Sequence, residues 1–178
     1  MALILLRHTR PEGAEGLCYG RTDLKLAECF QPQAARLAGE LPPFARVLSS
    51  PLSRCLHLAR TLSAARDVAL DIDERLIEMD FGRWEGQRWD VIARAELDAW
   101  AADLETANPH GGERVADLAA RSRAALIEAA RGPVPALVVT HAGVIKAALA
   151  QSRGMAGWQA ELHFGQWLRF DAALVPIA

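Results

Sequence analysis

Short runs of apolar residues alternate along this chain with longer stretches in which apolar positions recur every three or four residues. Ala2 to Leu6 is continuously apolar and stops at Arg7-His8, the pattern of a short strand buried on both faces. Thr9 to Asp23, broken by Pro11, Gly13, Gly16 and Gly20, reads as a loop. A helix is predicted over Pro32 to Leu41, ended by Pro42-Pro43, with a brief strand at Arg46 to Leu48. Ser50-Pro51 then signals a helix start, Ser50 as N-cap and Pro51 in the first position, because Leu52, Cys55, Leu56, Ala59 and Leu62 share one face. Val68 to Ile72 is a further strand and Leu76 to Gln87 a further loop. Helices follow at Arg88 to Leu104 and Val115 to Arg131, separated by Asn108 to Gly112. Pro135 to Thr140 is a strongly β-branched strand, His141-Ala142-Gly143 a turn, and Val144 to Gln151 a helix. Glu161 to Ile177 has the pattern of a hairpin of two edge strands.

Strands alternating with longer helices predict an α/β fold, a three-layer α/β/α sandwich around a mostly parallel central sheet. Ligands of such sheets bind beyond the carboxyl ends of the strands. Three unusual polar placements fall there: Arg7-His8 after the first strand, Arg54 after the second, and His141 after Val138-Val139-Thr140.

Composition narrows the classes. The 178 residues, 51% hydrophobic, suit a single domain with one core, with no repeat or linker. Twenty Lys and Arg against 22 Asp and Glu give a net charge of -2, so a generally basic nucleic-acid binder is not expected and any anion-binding field must be local. Even Ala136 to Ala150 is broken by His141 and Lys146, which speaks against a membrane span, and Met1 to Leu6 is too short for a signal sequence. Cys18, Cys29 and Cys55 are odd in number and lack metal-ligand spacing, which suits a reducing cytoplasm.

A phosphate monoester carries about two negative charges that must be offset before a nucleophile can approach. The sequence has no dense Asp, Glu and His cluster for a divalent ion, so neither a metal nor another cofactor is expected. Arginines are the other solution, their planar forks matching phosphate oxygens. Arg54 stands in the first turn of its helix, where the positive end of the dipole disfavours a cation unless an anion is bound. His8, held by a buried strand next to Arg7, is a candidate nucleophile kept neutral by the neighbouring guanidinium groups, and His141 a candidate donor to a phosphoryl oxygen. A leaving alkoxide needs a proton, and Glu78, Asp80 and Glu85 in the Leu76 to Gly86 loop are the candidate acids; spacing leaves the choice among them open.

The same residues resemble the histidine phosphatase superfamily, which includes the cofactor-dependent phosphoglycerate mutases. Leu6-Arg7-His8-Thr9, Ser49-Ser50-Pro51-Leu52-Ser53-Arg54, Leu76 to Gly86 and Val138 to Gly143 are similar to its four motifs, in the same order and across almost the whole chain. The resemblance implies a phosphoglycerate mutase-like fold over residues 1–178, His8 as the phosphorylated nucleophile and Glu78 as the proton donor. It also implies Arg7, Arg54 and His141 as core phosphate ligands, with Ala142 beside them in the phosphate-binding set. Cys18-Tyr19-Gly20-Arg21-Thr22-Asp23-Leu24 resembles the α-ribazole phosphatase branch, which acts in cobalamin nucleotide-loop assembly, and makes Arg21 a further phosphate contact. Lys25, Phe30 and Arg114 depart from that branch, where proline, glycine and serine are usual; Arg114 is expected as a solvated first-turn residue, and Thr9, His57, His110 and His163 as structural ones. The expected substrate is a small phosphorylated metabolite. A mutase, a broad-specificity phosphatase and a noncatalytic phospho-ligand binder are the rival readings, and the oligomeric state is not expressed in the sequence.

Overall fold

The computed structural model describes residues 2–177. Six strands form one sheet in the order β3-β2-β4-β1-β5-β6: β1 (Leu3–Arg7), β2 (Arg46–Ser49), β3 (Leu70–Ile72), β4 (Ala136–Thr140), β5 (Trp167–Phe170) and β6 (Pro176–Ile177). The first four are mutually parallel, while β5 runs antiparallel to β1 and β6 antiparallel to β5. Alternation along each strand supplies the layers. Leu3 and Leu5 of β1 join Ala136 and Val138 of β4 against the helices α4 (Val115–Ala129) and α5 (Ala142–Arg153). Ile4 and Leu6 join Leu137 and Val139 on the other face, against α1 (Phe30–Glu40) and α2 (Ser53–Arg66). The result is the expected three-layer sandwich. Two further helices, α3 (Arg94–Ala102) and the one-turn α6 (Met155–Trp158), lie outside these layers. Among the described residues no helix is long and apolar enough to cross a membrane.

Several boundaries differ from the sequence expectation, each for a physical reason. Helix α2 begins at Ser53, not Pro51. The Ser50 amide still bonds Val139 O at 3.1 Å in continuation of β2, and its hydroxyl lies 2.8 Å from His141 Nε2. Capping passes to Asp23, whose carboxylate accepts from the Ser53 amide at 3.0 Å and from its hydroxyl at 2.8 Å. Helix α3 covers only Arg94–Ala102, because Trp89 N donates to Gly16 O at 2.9 Å and the backbone there pairs with the first loop. His141-Ala142-Gly143 is not a separate turn: His141 is the N-cap of α5. The C-terminal hairpin is shorter than predicted and only β6 is an edge, since β5 is paired on both sides.

Candidate active site

The parallel register of β1 and β4 pairs Arg7 with Thr140, and His8 N donates to Thr140 O at 3.0 Å. The carboxyl ends of β1, β4 and β2 are therefore neighbours. His8 and His141 meet edge to face there, ring centroids 5.1 Å apart. A cavity of about 500 Å³ opens over this point, with Arg7, His8, Arg54, Glu78 and Ala142 in its wall.

His8 is buried, and its Nδ1 lies 2.7 Å from Thr9 O. A carbonyl only accepts, so Nδ1 carries the proton and Nε2 presents a lone pair. Burial, followed by the charge of Arg54, holds the His8 pKa well below the usual histidine value; the Thr9 carbonyl opposes this and Arg7 adds to it. His141 is likewise held neutral, by burial first and then by Arg54, His8, Arg121 and Arg7.

The Arg54 side chain has no exposed surface. Its Nη1 donates to Thr22 O at 2.8 Å and Nη2 to Gly20 O at 2.6 Å, while its buried Nε has no partner. Arg7 donates from Nη1 to Leu162 O at 2.5 Å, stacks 3.9 Å from the centre of the Phe164 ring, and also keeps a buried Nε without a partner. A buried donor left unpaired costs about 1–3 kcal/mol, which an anion bound between the two guanidinium groups would recover.

The loop that holds Arg54 is itself held by Glu85. One carboxylate oxygen accepts from Gly20 N at 3.0 Å, Arg21 N at 2.8 Å and Phe81 N at 3.1 Å, and the other from Thr22 N at 2.9 Å and the Thr22 hydroxyl. Burial pushes the Glu85 pKa up, but these bonds, Thr22 foremost, together outweigh it and leave the carboxyl below its ordinary value. Glu85 is thus an ionised buttress and unsuited to deliver a proton.

Asp80 is also occupied structurally, accepting from Gly82 N at 2.8 Å outside the cavity wall. Of the three candidate acids only Glu78 lines the cavity. Its Oε1 accepts from Met79 N at 3.0 Å and its Oε2 from Gly143 N at 3.1 Å, a free amide in the first turn of α5.

Arg21, expected as a phosphate contact, lies outside the cavity wall; its guanidinium is 3.8 Å from both Asp80 and Glu113. Its backbone amide serves the site through Glu85. Arg114 is exposed and bonds Asp117 at 2.7 Å. Phe30 is buried under β1, where it packs against the edge of His57 at 6.5 Å. Thr9 and His110 are buried, His57 and His163 exposed.

The sequence reading missed Lys146, which lines the cavity half-buried. Burial lowers its pKa, as does Arg7, while Glu78 and Glu161 oppose. The signal was available, for Lys146 stands one helical turn after Ala142 and so shares its face. Also missed were the aromatic walls, Tyr19, Trp89, Trp100, Trp158 and Phe164, which come from widely separated segments.

A neutral imidazole with a free lone pair, two guanidinium groups with open donors and a carboxyl beside them can bind a phosphoryl group, attack it and manage a proton. The family model for the histidine phosphatase superfamily (branch 1) matches residues 3–168. The adenosylcobalamin/alpha-ribazole phosphatase of Salmonella typhimurium is 31% identical over 182 residues, 96% of this chain and 90% of that protein. The glucosyl-3-phosphoglycerate phosphatase of Mycobacterium tuberculosis is 31% identical over 167 residues, 82% of this chain and 72% of that one. Among solved structures, the alpha-ribazole phosphatase from Shigella flexneri superposes with a TM-score of 0.81 at 27% identity, covering 97% of this chain and 92% of that one. The chain belongs to the histidine phosphatase superfamily, branch 1, and is a phosphoric monoester hydrolase.

Proposed function

We propose that the protein hydrolyses a small phosphomonoester through a phosphohistidine at His8, and that its substrate is α-ribazole 5'-phosphate. The observation that carries the chemistry is the free lone pair on His8 Nε2, fixed by the Nδ1 bond to Thr9 O and flanked by Arg7 and Arg54. In the first step Nε2 bonds to phosphorus as the P–O ester bond breaks, and Glu78 gives its proton to the leaving oxygen. In the second, water bonds to phosphorus as the N–P bond breaks, and Glu78 takes the proton from that water. Arg7 and Arg54, with Ala142 beside them, face the phosphoryl oxygens through both steps, and His141, behind the cavity wall against His8 with its Nε2 2.8 Å from the Ser50 hydroxyl, is assigned as the remaining donor.

The substrate rests on the Salmonella relative, on the Cys18 to Leu24 loop, and on the cavity walls of Tyr19, Trp89, Trp100 and Trp158, which suit the flat base of a nucleoside phosphate. One observation favours a second reading. Lys146 has no carboxylate within 4 Å among the described residues, and a carboxylated substrate such as glucosyl-3-phosphoglycerate would supply one.

Release of inorganic phosphate is measured across α-ribazole 5'-phosphate, glucosyl-3-phosphoglycerate and simple alkyl phosphates. The expected outcome is the highest kcat/KM for α-ribazole 5'-phosphate, an acid-labile phosphoenzyme trapped on the wild type, and no turnover by His8→Ala. A phosphoenzyme that survives in His8→Ala overturns the nucleophile, and preference for the carboxylated ester overturns the substrate. Isomerisation of 3-phosphoglycerate in the presence of its bisphosphate, without release of phosphate, would identify a mutase.

A further inference from the structure

Arg121 and Glu113 take no part in the cavity wall, yet they form the most completely bonded ion pair near it. An arginine has five N–H donors, and here every one is used. Arg121 Nε and Nη2 donate to the two Glu113 carboxylate oxygens at 2.6 and 2.8 Å. Nη1 donates to Arg75 O at 2.8 Å and Ile77 O at 2.6 Å, and Nη2 to Glu78 O at 3.1 Å. Three carbonyls leading up to and including Glu78 are thus fixed to one guanidinium on α4.

Glu113 grips the chain on the other side of Glu78. Its backbone amide donates to Asp80 O at 2.8 Å, and its Oε2 accepts from Asp80 N at 3.4 Å. The approach is close enough to require Gly112 next to it, where an added Cβ would lie 2.2 Å from Asp80 O. Between these two grips the Glu78 side chain has only two bonds, to Met79 N and to Gly143 N. A surface ion pair typically contributes little. This pair is different: the side chains are 18% and 11% exposed, and the bonds converge on the six residues from Arg75 to Asp80. The cost of burying both charges is offset by a placement that packing alone would not give a loop.

We propose that Arg121 and Glu113 are positioning residues for proton transfer: through the backbone of Ile77 to Asp80 they aim the Glu78 carboxyl at the leaving oxygen. This rests on the reading of Glu78 as the acid. Misplacing an acid by a fraction of an ångström affects only esters whose alcohol cannot leave unprotonated. An acidic phenol leaves unaided; an alkoxide does not.

The test is kcat/KM, which reports ester cleavage and not the later hydrolysis of phospho-His8, for p-nitrophenyl phosphate and for ribose 5-phosphate. It is measured for Arg121→Met, Glu113→Gln and Glu78→Gln, with inhibition by inorganic phosphate and thermal melting recorded for each. Arg121→Met is expected to lose about 100-fold on the alkyl ester and about fivefold or less on the phenyl ester, and Glu113→Gln about tenfold on the alkyl ester alone. Phosphate inhibition should stay within about twofold, because the guanidinium groups of Arg7 and Arg54 are untouched. If Arg121→Met does not fold, Glu113→Gln keeps the comparison intact, since it removes charge at nearly constant shape. Equal losses on the two esters, or none on either, overturn the proposal. If Glu78→Gln shows the selectivity and the clamp variants do not, the clamp alone fails; if Glu78→Gln lacks it too, the assignment of the acid fails as well.

Discussion

His8 and His141 are buried neutral beside Arg54 of α2, Arg7 of β1 and Arg121 of α4, so protonating either imidazole places a cation among cations with little water to share it. In the unfolded chain both take up protons at about pH 6.5. Below that value the unfolded state binds protons that the folded state refuses, so stability is fully present above about pH 7.5 and is lost as pH falls through about 6.5. With two such groups the loss approaches about 3 kcal/mol for each further pH unit. Urea midpoints at about pH 8, 6 and 5 would show it as a steep fall that His141→Asn makes shallower; equal midpoints would mean that both imidazoles titrate as in water. The two histidines were readable in the sequence because each follows a run of apolar residues whose strand ends are fixed by the same sheet. The role of Glu85 was not. It depends on contacts with Gly20, Arg21 and Thr22, 63 to 65 residues away, made to backbone amides that every sequence has.

At the scale of elements, the loop from Cys18 to Asp23 converts that carboxylate into the position of Arg54. Glu85 takes the loop's N–H groups, and the carbonyls left on the other side accept from the Arg54 guanidinium. Gly20 is where the loop passes closest to its support: an added Cβ would lie 1.7 Å from Met79 O and 2.7 Å from Glu85 Oε1. Neither atom is the free end of a flexible chain. Gly20→Ala should therefore cost about 1–3 kcal/mol in stability, read as a lower melting temperature. It should also weaken inhibition by inorganic phosphate about tenfold or more, as Arg54 loses one anchoring bond. A melting shift without a change in phosphate inhibition would mean that Arg54 is held by α2 alone. Elements whose faces are set by periodicity, such as α1, α4 and β4, were predicted within a few residues. Those set by distant partners were not. Helix α2 starts late because Ser50 serves the sheet and His141, and α3 is truncated because Trp89 pairs with Gly16.

Across the whole molecule the cavity divides into two halves of different origin. The phosphoryl half is built from regular structure, the ends of β1, β2 and β4 and the first turns of α2 and α5, where register leaves little freedom. The far half is assembled from Trp89 before α3, Trp100 within it and Trp158 in α6, while Phe164 and Tyr19 stand between the halves, against Arg7 and Arg54. Chemistry and selectivity can then vary independently, since a change in the second half leaves the strand ends unmoved. Trp158 is the position that separates them. Trp89 and Trp100 pack edge to face on Phe81 and Trp84, so shortening either disturbs the loop that carries Glu78. Trp158 stands apart from that aromatic cluster, on a helix of four residues. Trp158→Ala should raise KM for a phosphoester of a flat heteroaromatic nucleoside about tenfold, the loss of one aromatic contact of about 1–1.5 kcal/mol. Turnover of glycerol phosphate and inhibition by inorganic phosphate should remain near wild type, because both are read by the phosphoryl half. Equal losses on the large and the small ester would show instead that α6 supports α5, and with it the Gly143 amide that holds Glu78.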